Sequence, residues 1–141
     1  MEINAKIIEE QEELLTLIKG GTNPLDYIKN ESDVDFVCST IACQVKSQEP
    51  YFDETAETLL KAIVYYLMDI EEETKTLERC KEIVELGLDE NEGRQKVKVL
   101  FGTLGFEKIA SLLYSSINIT PDKTYKEIFE TLNKKLAVIL N

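Results

Sequence analysis

In the stretch EPYFDETAETLLKAIVYYLMDIEEE, residues 49–73, nearly every position from Leu59 to Met68 is apolar. On a helix, Leu59, Leu60, Ala62, Ile63, Val64, Tyr65, Tyr66, Leu67 and Met68 point in all directions, leaving no side to turn towards water. A membrane span requires about 20 apolar residues, whereas this run is interrupted by Lys61 and closed by Asp69 and Glu71–Glu73. The run is therefore read as a central helix wrapped by others. A chain of 141 residues is one domain's worth and buries about two-thirds of its unfolded surface, enough to enclose one such element.

Elsewhere helical spacing recurs and strand alternation does not. Residues 2–19 carry Ile3, Ile7, Leu14 and Ile18 on one stripe, and GGTNP (20–24) stops that helix. PLDYIKNESD reads as one helical turn and a loop. Ser32 or Asp33 then caps a helix over 34–46 with Val34, Val37, Cys38, Ile41, Ala42 and Val45 on its apolar face. The apolar helix runs from about Asp53 to Met68, and Thr74 or Thr76 caps the next, which presents Leu77, Cys80, Ile83 and Val84. Val97, Leu100, Phe101 and Leu104, then Phe106, Ile109, Ala110 and Leu113, predict two more helices. Thr120-Pro121 opens the last, striped by Tyr125, Ile128, Phe129, Leu132, Leu136 and Ile139. The expectation is an all-α chain of about seven helices around a buried helix near 53–70. An N-terminal amphipathic helix (1–20) precedes a compact domain (21–141).

The charge of −11 is unevenly spread: residues 1–93 carry −15 and residues 94–141 carry +4. That balance is unsuited to wrapping nucleic acid and suited to attracting basic partners. The acidic start MEINAKIIEEQEELL lacks the pattern of a signal peptide. Cys38 and Cys80 fall on apolar faces and read as core thiols of a reducing compartment, which leaves the sequons at Asn30 and Asn118 unused. With no histidine, nucleophilic Ser-His-Asp and Cys-His sites are excluded, and so are histidine-bearing zinc sites. No Gly-Lys-Ser/Thr is present to cradle a phosphate. DENEG resembles a calcium loop only until its glycine falls fifth and Leu100 takes the place of the bidentate glutamate. No catalytic function and no cofactor is expected.

Three stretches, in order, resemble one family. NPLDYIKNESDVDFVCSTI (23–41) is similar to an Asn-Pro-Phe-x-Tyr-Ile, acidic, then valine-rich opening, and EPYFDETAETLLKAIVYYLMD (49–69) to Asp-Pro-Phe-Trp followed by Ala-Glu-x-x-Leu-Leu-x-Ala. PDKTYKEIFETLNKKLAVI (121–139) is similar to Lys-Thr, Ser-Ile, then a leucine-bearing helix. The trio resembles the all-α domain of TraG-type coupling proteins of conjugative type IV secretion, with Glu57, Leu59, Leu60 and Ala62 on its central motif. Phe52 stands where tryptophan is common, and residues 1–20 have no counterpart.

The resemblance implies a cytoplasmic domain of a membrane-anchored hexameric ATPase, at the inner face of the membrane. That domain recognises relaxase, accessory or effector proteins and passes them to the motor. Its expected partners are basic cargo signals and the parent nucleotide-binding domain, with DNA contact weak or indirect and no membrane contact from this segment. The alternative is a free-standing acidic helical adaptor that oligomerises through 2–19. The candidate cargo-binding residues are Asp69, Glu71, Glu72 and Glu73, at the end of the central helix, and Asp89, Glu90 and Glu92. Both groups flank 77–87 and are expected at one end of the fold. Arg94, Lys96, Lys98, Lys123, Lys126, Lys134 and Lys135 form the candidate DNA- or motor-facing basic region.

Overall fold

In a computed structural model, which describes residues 2–140 and the side chains of residues 9–140, the chain forms seven α-helices and one 3₁₀ turn. They are α1 (Glu2–Lys19), the turn Pro24–Tyr27, α2 (Glu31–Ala42), α3 (Pro50–Asp69), α4 (Leu77–Gly87), α5 (Gly93–Gly102), α6 (Ile109–Asn118) and α7 (Asp122–Leu140). The all-α expectation holds, and no strand occurs among the described residues.

The apolar run is the centre of the fold. Leu59, Leu60, Ala62, Ile63, Val64 and Leu67 are fully buried, because α3 is enclosed by α2, α4, α6 and α7. The stripe of α7 (Tyr125, Ile128, Phe129, Leu132, Leu136) closes one side, and α4 lies against it through Cys80, Ile83 and Val84. Gly87 permits that approach: a Cβ there would stand 2.3 Å from the Phe129 ring. Leu14 and Ile18 tie α1 into the same core. Ile3 and Ile7 lie outside the described side chains. Cys38 and Cys80 are buried free thiols and Cys43 is exposed. Burial pushes the Cys80 thiol up to about 12.

Helix boundaries depart from expectation where side chains intervene. Asn30, not Ser32 or Asp33, caps α2: its Oδ1 accepts the Asp33 N–H at 2.9 Å, so the helix starts three residues early. It also ends at Ala42 instead of 46: the Ala42 carbonyl, which would have taken the next ladder bond, accepts from Lys135 Nζ, as does the Val45 carbonyl beyond the helix. α3 begins at Pro50, where a missing N–H breaks nothing. Thr76 caps α4 as one of the two expected threonines. Thr120 does not cap α7; its hydroxyl turns back to the Ile117 carbonyl at 2.7 Å and closes α6, leaving α7 to start at Asp122.

Candidate functional site

The acidic residues after α3 divide into two kinds. Asp69 ends the helix and Glu71 and Glu72 occupy the following turn; all three are exposed and unpaired with any described cation. Glu73 differs. Arg79 grips its carboxylate with Nε at 2.9 Å and a second nitrogen at 3.1 Å, and the Tyr66 hydroxyl donates to it at 2.7 Å. Arg79, with smaller help from Tyr66, outweighs the effect of burial and holds the Glu73 carboxyl below its usual value. Burial, then the hydrogen bond to Glu73 and that residue's charge, pushes the Tyr66 phenol up to about 12. Glu73 therefore joins α3 to α4 and is no part of a docking surface, a correction to the sequence reading. Lys75 Nζ donates to the Ile70 carbonyl at 3.0 Å and to Glu73 O at 3.3 Å. A cation thus sits at the C-terminus of α3, offsetting the dipole conflict that the acidic run creates.

The second acidic group is not beside the first. α4 has 11 residues and spans roughly 16 Å at 1.5 Å per residue. The 69–73 group precedes its first turn and the 89–92 group follows its last, so the expectation of one shared end is corrected to two opposite ends. Asp89 is neutralised by Lys96 at 2.7 Å, and its Oδ1 accepts the Asn91 N–H, which together lower its carboxyl. Glu90 and Glu92 remain exposed. Glu92 has left-handed backbone (φ 62°), uncommon for a residue with a Cβ, at the point where the chain doubles back from α4 into α5.

The basic region is also dismantled. Lys135 is 1% exposed, and its Nζ donates to Asp53 at 2.8 Å, to the Ala42 carbonyl at 2.8 Å and to the Val45 carbonyl. A lysine so enclosed cannot face DNA. Its position was legible: Lys135 lies three residues after Leu132 and four before Ile139, squarely on the buried stripe of α7. Arg94 is likewise structural. Its guanidinium donates to the Asn118 and Thr120 carbonyls and to Asp122 at 2.9 Å, and lies 4.2 Å over the Tyr125 ring. Arg94 precedes Val97 and Phe101 by three and seven residues, again on the inward stripe. Lys96 is engaged by Asp89, which leaves Lys98, Lys123, Lys126 and Lys134 exposed on two different helices. Lys134 lines a groove of about 370 Å³ that it shares with Glu49 and Glu127.

Two apolar features escaped the sequence reading. Phe106 (87% exposed), Ile109, Leu112 and Val99 emerge around the α5–α6 connection, contrary to the expectation that Phe106 and Ile109 together line a helix, because α6 starts only at Ile109 and leaves Phe106 in the loop. Ser111, beside them, has a buried hydroxyl with no described partner. A serine inside a helix bonds the carbonyl four residues back, and for Ser111 that residue, Glu107, lies ahead of the first turn. The second feature is a groove of about 530 Å³ between α1 and α2. Among the described residues no three metal-ligating side chains converge, and no helix is long and apolar enough to cross a membrane. No family profile, no curated protein and no solved structure matches the chain.

Proposed function

We propose that the chain is the cargo-recognition domain of a TraG-type coupling protein, docking basic, flexible signals of relaxase, accessory or effector proteins. The proposal rests on the ordered resemblance of 23–41, 49–69 and 121–139, which the fold supports by placing the second stretch on the buried helix and the others on α2 and α7 around it. The observation that carries the docking role is the turn after α3. Asp69, Glu71 and Glu72 stand free in solvent on a segment held by Arg79–Glu73–Tyr66 and by Lys75. An acidic platform already ordered loses little entropy when a basic tail arrives. DNA contact in this reading is weak, and the parent nucleotide-binding domain adjoins the same polypeptide at the inner face of the membrane.

The test is surface plasmon resonance of the purified chain against a basic relaxase tail. Micromolar binding is expected, fading as salt shortens the screening length below about 10 Å. Glu71→Lys with Glu72→Lys should lower the on-rate several-fold with an unchanged circular dichroism spectrum, since surface charge governs encounter more than final affinity. Glu73 is left intact because its reversal would break the Arg79 pair. Binding that survives both the reversal and high salt overturns the acidic dock.

A further inference from the structure

The α1–α2 groove has an apolar floor and an acidic rim. Leu14, Leu17, Tyr27, Phe36 and Val37 make the floor; Glu10 and Glu13 on α1 and Asp33 on α2 make the rim. Glu10, Glu13, Leu14 and Leu17 recur at helical intervals of three and four, so carboxylates and leucines form adjacent rows along one edge of α1. Only Leu14 and Ile18 of the described α1 side chains turn fully into the core; Leu17 stays 39% exposed and Tyr27 49% exposed, beside a half-buried Phe36. Across residues 9–36 the chain carries eight carboxylates against two ammonium groups, Lys19 and Lys29.

We infer that this groove docks a basic amphipathic helix of a partner protein. Two helices lying side by side leave a channel that a third helix fills with side chains at i, i+3, i+4 and i+7, and the floor here offers leucine, tyrosine and phenylalanine to receive them. The rim selects the sign of charge. A nucleic acid or an anionic lipid surface meets repulsion from Glu10, Glu13 and Asp33. A second copy meeting this one across a two-fold axis would bring an equally acidic rim to the same interface, with no basic side chain of the groove lining to offset it. A helix with lysine or arginine flanking its apolar face satisfies both features. The inference concerns residues apart from the turn after α3 and holds whether or not the chain belongs to a coupling protein.

The test uses the whole 141-residue chain and a synthetic probe about 18 residues long, with leucines at helical spacing on one face and lysines on the other. A scrambled peptide of identical composition is the control. Calorimetry at low salt should show the amphipathic probe binding at least about tenfold tighter than the scrambled one. Amide shifts should concentrate at residues 10–17, 27 and 32–37. Leu17→Asp, and separately Tyr27→Ala, should weaken the probe about tenfold with helical content unchanged. Glu10→Lys with Glu13→Lys should do the same at low salt and less at high salt. Equal affinity for both peptides, binding to neither, unchanged affinity in Leu17→Asp and Tyr27→Ala, or shifts centred on 69–73 would each overturn the inference. So would sedimentation showing a dimer that Leu17→Asp dissolves, because the occupant would then be a second copy. Loss of Glu71 and Glu72 leaves this readout unmoved, so the two proposals fail separately.

Discussion

Lys135 and Asp53, 82 residues apart in the chain, meet at 2.8 Å, and the same buried ammonium donates to the carbonyl of Ala42, the last residue of α2, and to that of Val45 in the connection after it. One side chain on α7 thereby sets where α2 stops, how the 43–49 connection turns and where α3 begins. The Ser47 N–H adds a 2.9 Å bond to the same carboxylate, so the connection is held from both sides.

Lys135→Ala should therefore destabilise the protein by about 3 kcal/mol, the lower part of the range for breaking a buried pair, because Asp53 retains some access to water. Urea denaturation measures it. A loss under about 0.5 kcal/mol, typical of surface changes, would show the ammonium to be replaceable by water.

Stability should fall in acid for a defined reason. Burial pushes the Asp53 carboxyl up, but bonds from Lys135 and from the Ser47 amide outweigh it and leave it below 3.8. Arg79 foremost, then Tyr66, outweighs burial and leaves Glu73 below 4.5. Folded carboxyls with lowered pKa release protons more readily than in the unfolded chain, so their stabilisation is fully present above those ordinary values. It drains as pH falls beneath them and is gone below the folded pKa values. Urea midpoints of Asp53→Asn and Glu73→Gln should accordingly vary less than the native midpoint over that acidic window.

Leu67 is fully buried on α3. Leu67→Ala should cost about 2–5 kcal/mol, the transfer term plus the cavity left between rigid helices. A chemical denaturation difference below about 0.5 kcal/mol would place α3 at a surface.

Arg94 bridges α5 to the α6–α7 junction through a planar fork and a ring face. Lysine keeps the charge but neither the fork nor the stacking. Arg94→Lys should lose most of the stability lost in Arg94→Ala, about 1.5–3 kcal/mol for hydrogen bonds to a charged donor. Equal thermal midpoints for Arg94→Lys and the native chain would mean that charge alone matters.

Duplex DNA should bind weakly and with strong salt dependence, through exposed lysines such as Lys98, Lys123, Lys126 and Lys134. With Lys135 buried and Arg94 committed to the α6–α7 junction, few phosphates can be neutralised, and ordinary non-specific binders reach only about 10⁻⁴–10⁻⁶ M. Submicromolar affinity at physiological salt by fluorescence anisotropy would contradict this.

Much of the architecture was legible in the residues. The all-round apolar run had to be a buried helix because no face of it tolerates water, and the stripes of α2, α4 and α7 named their own inward sides. What periodicity could not supply was the destination of charges. A lysine or arginine is read from sequence as solvent-seeking, since burying an unpaired cation is costly. Lys135 and Arg94 sit on inward stripes all the same, because carbonyls and carboxylates from α2, α3, the α6–α7 turn and α7 converge on them.

The same limit explains the acidic residues. Sequence determined that Asp69 and Glu71–Glu73 follow the core helix, and that Asp89, Glu90 and Glu92 come one helix later. Tertiary structure decided that Glu73 turns inward to Arg79, that α4 holds the two groups apart, and that Leu17 and Tyr27 open a groove beside Glu10 and Glu13. Local spacing reports which face of a helix a residue occupies. Only the packing of one helix on another decides what that face meets, because the partners lie tens of residues away and are brought together by burial of the core between them.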